Sequence, residues 1–161
     1  MKNHKFQQIR LRISEAGQSV RFNAESDKNY KRIRGIHVSM PDKKAVTGTM
    51  LGLKVNNIEV LDDSHEVKLL TCGDAVAPNQ MFFLFEDKIE AGGVMMDGRY
   101  TDGGLYPMLY DNNNDPNGVI DPTRSASRPN GGTTGVNIPQ NPNGVTYPYD
   151  VRIVIWLTNL D

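Results

Sequence analysis

Cysteine is all but absent from this 161-residue chain. Cys72 stands alone, so no intrachain disulfide can form and a disulfide-stapled extracellular scaffold is excluded. Long apolar runs are missing too: no stretch approaches the roughly 18 apolar residues of a membrane span. The segment Met1-Lys2-Asn3-His4-Lys5 is basic, but Phe6 to Ile13 alternates polar and apolar residues where an export signal needs a continuous apolar run. The expectation is a soluble protein made in a cytoplasm. Helical periodicity is also absent. No window of about three turns repeats its apolar residues every ~3.6 positions, and Glu86 to Ala91 offers one helical turn at most.

The residues of common catalytic chemistry are equally sparse. His4, His37 and His65 lack the His-x-His or His-x-x-x-His spacing that presents two ligands to a transition metal. Cys72 precedes Gly73-Asp74 with no base or helix amino terminus signalled beside it, so nothing would activate its thiol. There is no Gly-x-Ser-x-Gly elbow, no phosphate-binding glycine loop and no dinucleotide fingerprint. Asp62-Asp63 and Glu86-Asp87 are paired carboxylates, but their charged, turn-like settings argue for solvation. The expectation is no enzyme and no cofactor.

What is present is alternation. Ile9, Leu11 and Ile13 point one way and Gln8, Arg10 and Arg12 the other, as a half-buried strand requires. Val20, Phe22 and Ala24 repeat the pattern. Within Tyr30 to Met40 the apolar phase slips at Gly35, from odd-numbered Ile33 to even-numbered Ile36, Val38 and Met40. That slip reads as a β-bulge that leaves Arg32 and Arg34 outward. Thr49 to Val55 and Ile58 to Leu61 flank Asn56-Asn57, a tight turn because Asn tolerates positive φ. Val67 to Thr71, Met81 to Phe85 and Val94 to Tyr100 are further strand signals. Val151 to Leu157 is the strongest, rich in β-branched residues and apolar on both faces, hence a central strand. About eight strands with turn signals every ~8 to 12 residues predict an all-β chain, an eight-stranded antiparallel β-sandwich. Two four-stranded sheets is the jelly-roll count, although an immunoglobulin-like sandwich or a closed barrel draws on the same signals.

Residues 110–148 break this pattern. Asn, Gly and Pro supply 19 of these 39 residues, with six of the nine prolines among them, so the segment cannot furnish core strands. It reads as a long Asn/Gly/Pro-rich loop inserted before the last strand of a single domain spanning 1–161, where recognition commonly sits. From Asp111 to Asp121 oxygen-bearing residues recur, with Asp111, Asn113, Asp115, Asn117 and Asp121 as the ligands a calcium ion would take. Pro116 and Pro122 stand where an EF-hand-type loop needs Gly and Glu, which favours a turn series that needs no ion. Tyr100, Tyr106, Tyr110, Tyr147 and Tyr149 lie near the insertion. There they would either stack on sugar rings, as in a carbohydrate-binding module, or pack the sandwich end.

Charge is unevenly spread. The net charge of -1 gives no whole-molecule field for non-specific nucleic-acid binding. Yet residues 1–40 hold nine basic and three acidic residues, a balance of +6 that leaves -7 for the remainder. Such asymmetry suits an acidic partner, nucleic acid, or the acidic end of an identical subunit, and it is also compatible with solvated faces. Arg10, Arg12, Arg32 and Arg34 form a basic patch if their strands are neighbours. No aromatic residues interleave with them in sequence, so a stacking platform for single strands is not indicated. Docking onto a protein or a packaged genome stays open. With Tyr110, Tyr147 and Tyr149, these arginines are the candidate interface residues.

Taken with Arg34-Gly35-Ile36-His37-Val38-Ser39-Met40-Pro41-Asp42, Ala77-Pro78-Asn79 and Tyr147-Pro148-Tyr149-Asp150-Val151-Arg152-Ile153, the strands from Ile9 to Leu157 make a profile that resembles a virion protein. The resemblance is to the small single jelly-roll minor capsid or penton proteins of tailless icosahedral bacteriophages. It implies a non-enzymatic homo-oligomer, a pentamer or trimer, that contacts other capsid proteins through sheet edges and loops. Its place would be the virion, after synthesis in the host cytoplasm.

Overall fold

The computed structural model describes residues 3–41, 43–72, 76, 80–104 and 145–160. Eight strands follow one another: β1 (His4–Ile13), β2 (Ser19–Glu25), β3 (Arg32–Ser39), β4 (Met50–Val55), β5 (Ile58–Leu61), β6 (Phe83–Glu90), β7 (Met95–Thr101) and β8 (Tyr149–Thr158). They form two antiparallel four-stranded sheets, in the orders β1-β8-β3-β6 and β2-β7-β4-β5. The chain is therefore an all-β sandwich, as its alternation predicts. The pairs β1·β8, β2·β7, β3·β6 and β4·β5 each join a strand to its counterpart counted from the other end. The polypeptide is in effect one long hairpin ribbon bent at β4–β5, its successive rungs falling alternately on the two sheets.

The inner faces are set by the period of two. Ile9, Leu11 and Ile13 of β1, Ile33, Ile36 and Val38 of β3, and Val151, Ile153, Ile155 and Leu157 of β8 are buried against Phe22, Leu51, Leu53, Val55, Met96 and Tyr100 of the other sheet. β8 lies between β1 and β3, which explains its apolar second face, with Val154 and Trp156 half-buried on the outside. The register shifts between Ile33 and Gly35, where the phase slip predicts a bulge. Gly35 is required there by close approach, since a Cβ would sit 2.7 Å from the Phe83 carbonyl oxygen. The bulge turns Arg34 outward and returns Ile36 and Val38 to the core. Asn56 and Asn57 both have positive φ, 51° and 63°, the backbone a two-residue hairpin turn needs.

Two expectations are corrected. Val67 to Thr71 is not a strand: Val67–Leu70 is a 3₁₀ turn, preceded by a single bridge from Glu66 to Met50. With about three residues per turn, Val67 and Leu70 fall on one side and are fully buried, while Leu69, which alternation would place inward, is 61% exposed. Nor do residues 86–91 turn helical. β6 runs on to Glu90 because Ile89 and Glu90 resume pairing with Ile33 and Arg32 after a wide bulge, and the Ala91 amide donates to the Lys31 carbonyl at 2.8 Å. A second 3₁₀ turn spans Lys43–Val46. Among the described residues no helix is long and apolar enough to cross a membrane.

Candidate functional site

Every second residue of β1, β8, β3 and β6 faces away from the core, and on this outer face the side chains are not those of an ordinary solvated sheet. Cross-strand pairing sets Phe6 opposite Trp156, and the chain entering β6 brings Phe82 against both. The Phe6 and Phe82 rings stack with centroids 5.2 Å apart, and Trp156 meets Phe82 edge-on at 5.4 Å. The Trp156 indole N–H donates to His4 Nδ1 at 3.2 Å. Arg34, turned out by the bulge, places its guanidinium 4.9 Å from the Trp156 ring centroid, a cation–π contact. His37 borders Phe82 at 5.8 Å, and burial holds its imidazole pKa below the usual value. Phe6 nonetheless remains 55% exposed and Leu84 50%.

The same face carries exposed arginines. Arg10 lies directly opposite Arg152, with Arg12 opposite Asp150 one step further on. Arg12 reaches Asp150 only at 4.0 Å, and no ion pair is formed by Arg10 or Arg152 among the described residues. Like charges opposed on neighbouring strands are destabilising, so this pair costs the isolated sheet something that a bound anion would relieve. The expected patch is corrected accordingly. Arg10 and Arg12 are not beside Arg32 and Arg34, because β8 separates β1 from β3. Arg10 lies level with Arg152 and Arg32 level with Thr158, about 20 Å apart along β8 at strand rise. The expectation that no aromatics accompany the arginines also fails in three dimensions, since Phe6, Phe82 and Trp156 lie between the two pairs. Linear spacing missed them because they come from three separate segments. Only the alternation that puts Phe6 and Arg10 on one face of β1 hinted at it.

The two side edges of the sandwich differ in sign. On one, β1 and β2 carry Lys5, Arg10, Arg12 and Arg21 against a single acid, Glu25. Lys5 is bonded to Asp27, a contact that lowers the Asp27 carboxyl pKa. On the other, β5 and β6 carry Glu59, Glu86, Asp87 and Glu90 against Lys88. Between these two strands opens a groove of about 610 Å³, lined by Val55, Ile58, Val60, Phe83, Phe85 and Ile89 with the acids on its rim. Ile58 is 67% exposed there.

The third feature is the neck of the inserted segment. Asp102, buried at the end of β7, accepts hydrogen bonds from the Gly17 amide at 2.9 Å, the Gly104 amide at 3.0 Å and the Tyr147 hydroxyl at 2.6 Å, as well as from the Tyr149 hydroxyl. Tyr149 also contacts the Tyr100 hydroxyl at 3.3 Å. Burial raises the pKa of both phenols, which keeps them protonated donors. The carboxylate thus ties the chain entering the insertion to the chain leaving it. Tyr100 and Tyr149 are buried and Tyr147 half-buried, so these three rings pack the sandwich end rather than offering faces to a sugar or a partner. Tyr106 and Tyr110, and the calcium candidates Asp111, Asn113, Asp115, Asn117 and Asp121, lie outside the described residues. Among the described residues no three His, Cys, Asp or Glu side chains cluster as metal ligands. Cys72 is a half-buried free thiol.

No family model, curated protein or solved structure matches this chain.

Proposed function

We propose that this chain is a non-enzymatic structural protein of a viral particle, a bacteriophage capsid, penton or minor capsid subunit that works by assembling with copies of itself and with other shell proteins. The observation that supports it best is the pair of oppositely charged side edges on a rolled hairpin ribbon. Eight strands in the orders β1-β8-β3-β6 and β2-β7-β4-β5 support reading the sandwich as a jelly roll with two Greek keys, an architecture used by viral shell proteins. A basic edge on one copy and an acidic, apolar groove on the next are complementary but not self-complementary. Such a contact is head-to-tail and closes into a ring when the rotation between copies allows. The bulge in β6 blunts that edge against simple strand addition, so the contact would be made by side chains entering the groove.

Light scattering coupled to size exclusion, over a range of concentrations and with and without calcium, tests the proposal. A closed pentamer or trimer is the expected result, and reversing Glu86 and Asp87 to Lys should dissociate it. A chain carrying all four reversals, Glu86→Lys and Asp87→Lys together with Arg12→Glu and Arg21→Glu, should assemble again, because every contact in the ring then regains opposite charges. A monomer under every condition, with no affinity for a larger shell, overturns the reading. The carbohydrate-binding alternative draws no support from Tyr100, Tyr147 or Tyr149, whose rings are committed to packing.

A further inference from the structure

We infer that the outer face of the β1-β8-β3-β6 sheet is a binding site for single-stranded nucleic acid, with bases stacking at Phe6 beside Trp156 and phosphates meeting Arg10, Arg152 and Arg34. The reasoning starts from what the face holds. An aromatic ring that is 55% exposed on a sheet face is costly unless something covers it, and here it sits in a cluster of rings rather than alone. A flat partner that lies on a ring and tolerates a positive surround fits this face. Arg10, Arg12, Arg32, Arg34 and Arg152 belong to this face, against Asp150 and Glu90.

The charge sign selects among flat partners. A neutral sugar would stack on the rings but would leave the opposed Arg10 and Arg152 unanswered. A single strand supplies both chemistries at once: bases for the rings, and one phosphate per nucleotide for the arginines. Arg152 lies four residues from Trp156 along β8, about 13 Å at strand rise, so arginine and ring are within reach of one short stretch of strand. The rings belong to strands β1 and β8 and to the entry of β6, so they are held in place before any ligand arrives. A duplex is disfavoured because its bases are already stacked within the helix and offer the rings no face. The positive charge of the face resides in arginine, which stays ionised across the neutral range.

Trp156 is the only tryptophan in the chain and stands in the proposed site, so its fluorescence reports the contact directly. The full-length protein is titrated with an oligothymidylate of about 16 nucleotides, the upper site size for a stacking platform of this kind. Saturable quenching is expected, weakening steeply as salt rises. Phe6→Ala should weaken binding about tenfold while Phe6→Tyr retains it, and Arg10→Gln should lower the salt slope by about one. Phe6 is on the surface, so thermal unfolding should confirm that Phe6→Ala remains folded. Three outcomes overturn the inference. One is the absence of quenching at low salt. Another is salt-dependent quenching that Phe6→Ala leaves unchanged, which is charge attraction alone. The third is quenching by neutral oligosaccharides without salt dependence, which makes the face a sugar platform. None of these outcomes bears on self-assembly, which the light-scattering experiment measures separately.

Discussion

The outer faces of the two sheets, built from the same alternating pattern, end in different chemical states. On the β2-β7-β4-β5 sheet the polar side chains answer one another across strands. Asn23 donates to Asp97 at 2.6 Å, the Ser19 and Thr101 hydroxyls are 3.1 Å apart, and Lys54 faces Glu59. That sheet also has an opposed arginine pair, Arg21 and Arg99, but Arg99 reaches Asp63 at 3.4 Å. On the β1-β8-β3-β6 sheet the corresponding pair, Arg10 and Arg152, meets no such acid among the described residues, and Phe6 is left 55% exposed. Among the described residues the polar side chains of one face largely answer one another, whereas the other face keeps an unanswered arginine pair beside a half-exposed ring. Unmet chemistry, more than composition, distinguishes a binding face from a solvated one.

The largest expected effect is a control that ignores this difference. Asp102→Ala removes the acceptor of two amides and two hydroxyls in a buried site shared by both sheets, and should cost about 3 kcal/mol in chemical denaturation. It should leave the oligothymidylate affinity of the folded protein unchanged. Next comes Gly35→Ala. The new Cβ would press on the Phe83 carbonyl, for a loss of about 2 kcal/mol. The bulge would also shift Arg34 from Trp156, so the Trp156 emission maximum should move with it.

A smaller and sharper test is a change of sign. Arg10→Gln relieves a like-charge pair and should raise stability by about 0.5 kcal/mol while weakening nucleic-acid binding. Asp63→Asn removes the acid that answers the opposed Arg21 and Arg99 and should lower stability by about 0.5 kcal/mol with binding unaffected. Equal effects of the two substitutions would erase the contrast between the faces. The smallest effect concerns pH. Burial holds the His37 imidazole below its ordinary value of 6.5 in the folded chain, so the unfolded chain takes up the proton first. Its contribution to stability is full above that value and is lost as pH falls toward the folded one. The denaturation midpoint should therefore drop between pH ~7 and ~5, and His37→Gln should flatten the drop.

Several of these features were legible in the residues alone, and for a common reason. Ile9, Leu11 and Ile13 alternate with Arg10 and Arg12 whatever the strand pairs with. The Gly35 slip needs only its neighbours, and so does the Asn56-Asn57 turn. Val67 to Thr71 misled because a buried 3₁₀ turn and a short strand both present apolar residues at close spacing, and only burial separates Leu70 from Leu69. The patch of four arginines failed because nothing near β1 or β3 in sequence announces that β8 will lie between them.

Local alternation, read from the sequence by itself, determined that this is an all-β chain, which side chains point inward, and where the ribbon turns, because side-chain direction in a strand has a period of two. Tertiary structure alone decided which strands became neighbours. His4 and Trp156 meet across 152 residues, and Phe82 joins them from a third segment. Strand pairing is chosen by the burial of whole faces rather than by any one residue. The aromatic and basic face, the acidic groove and the Asp102 neck are therefore properties of the assembled sandwich.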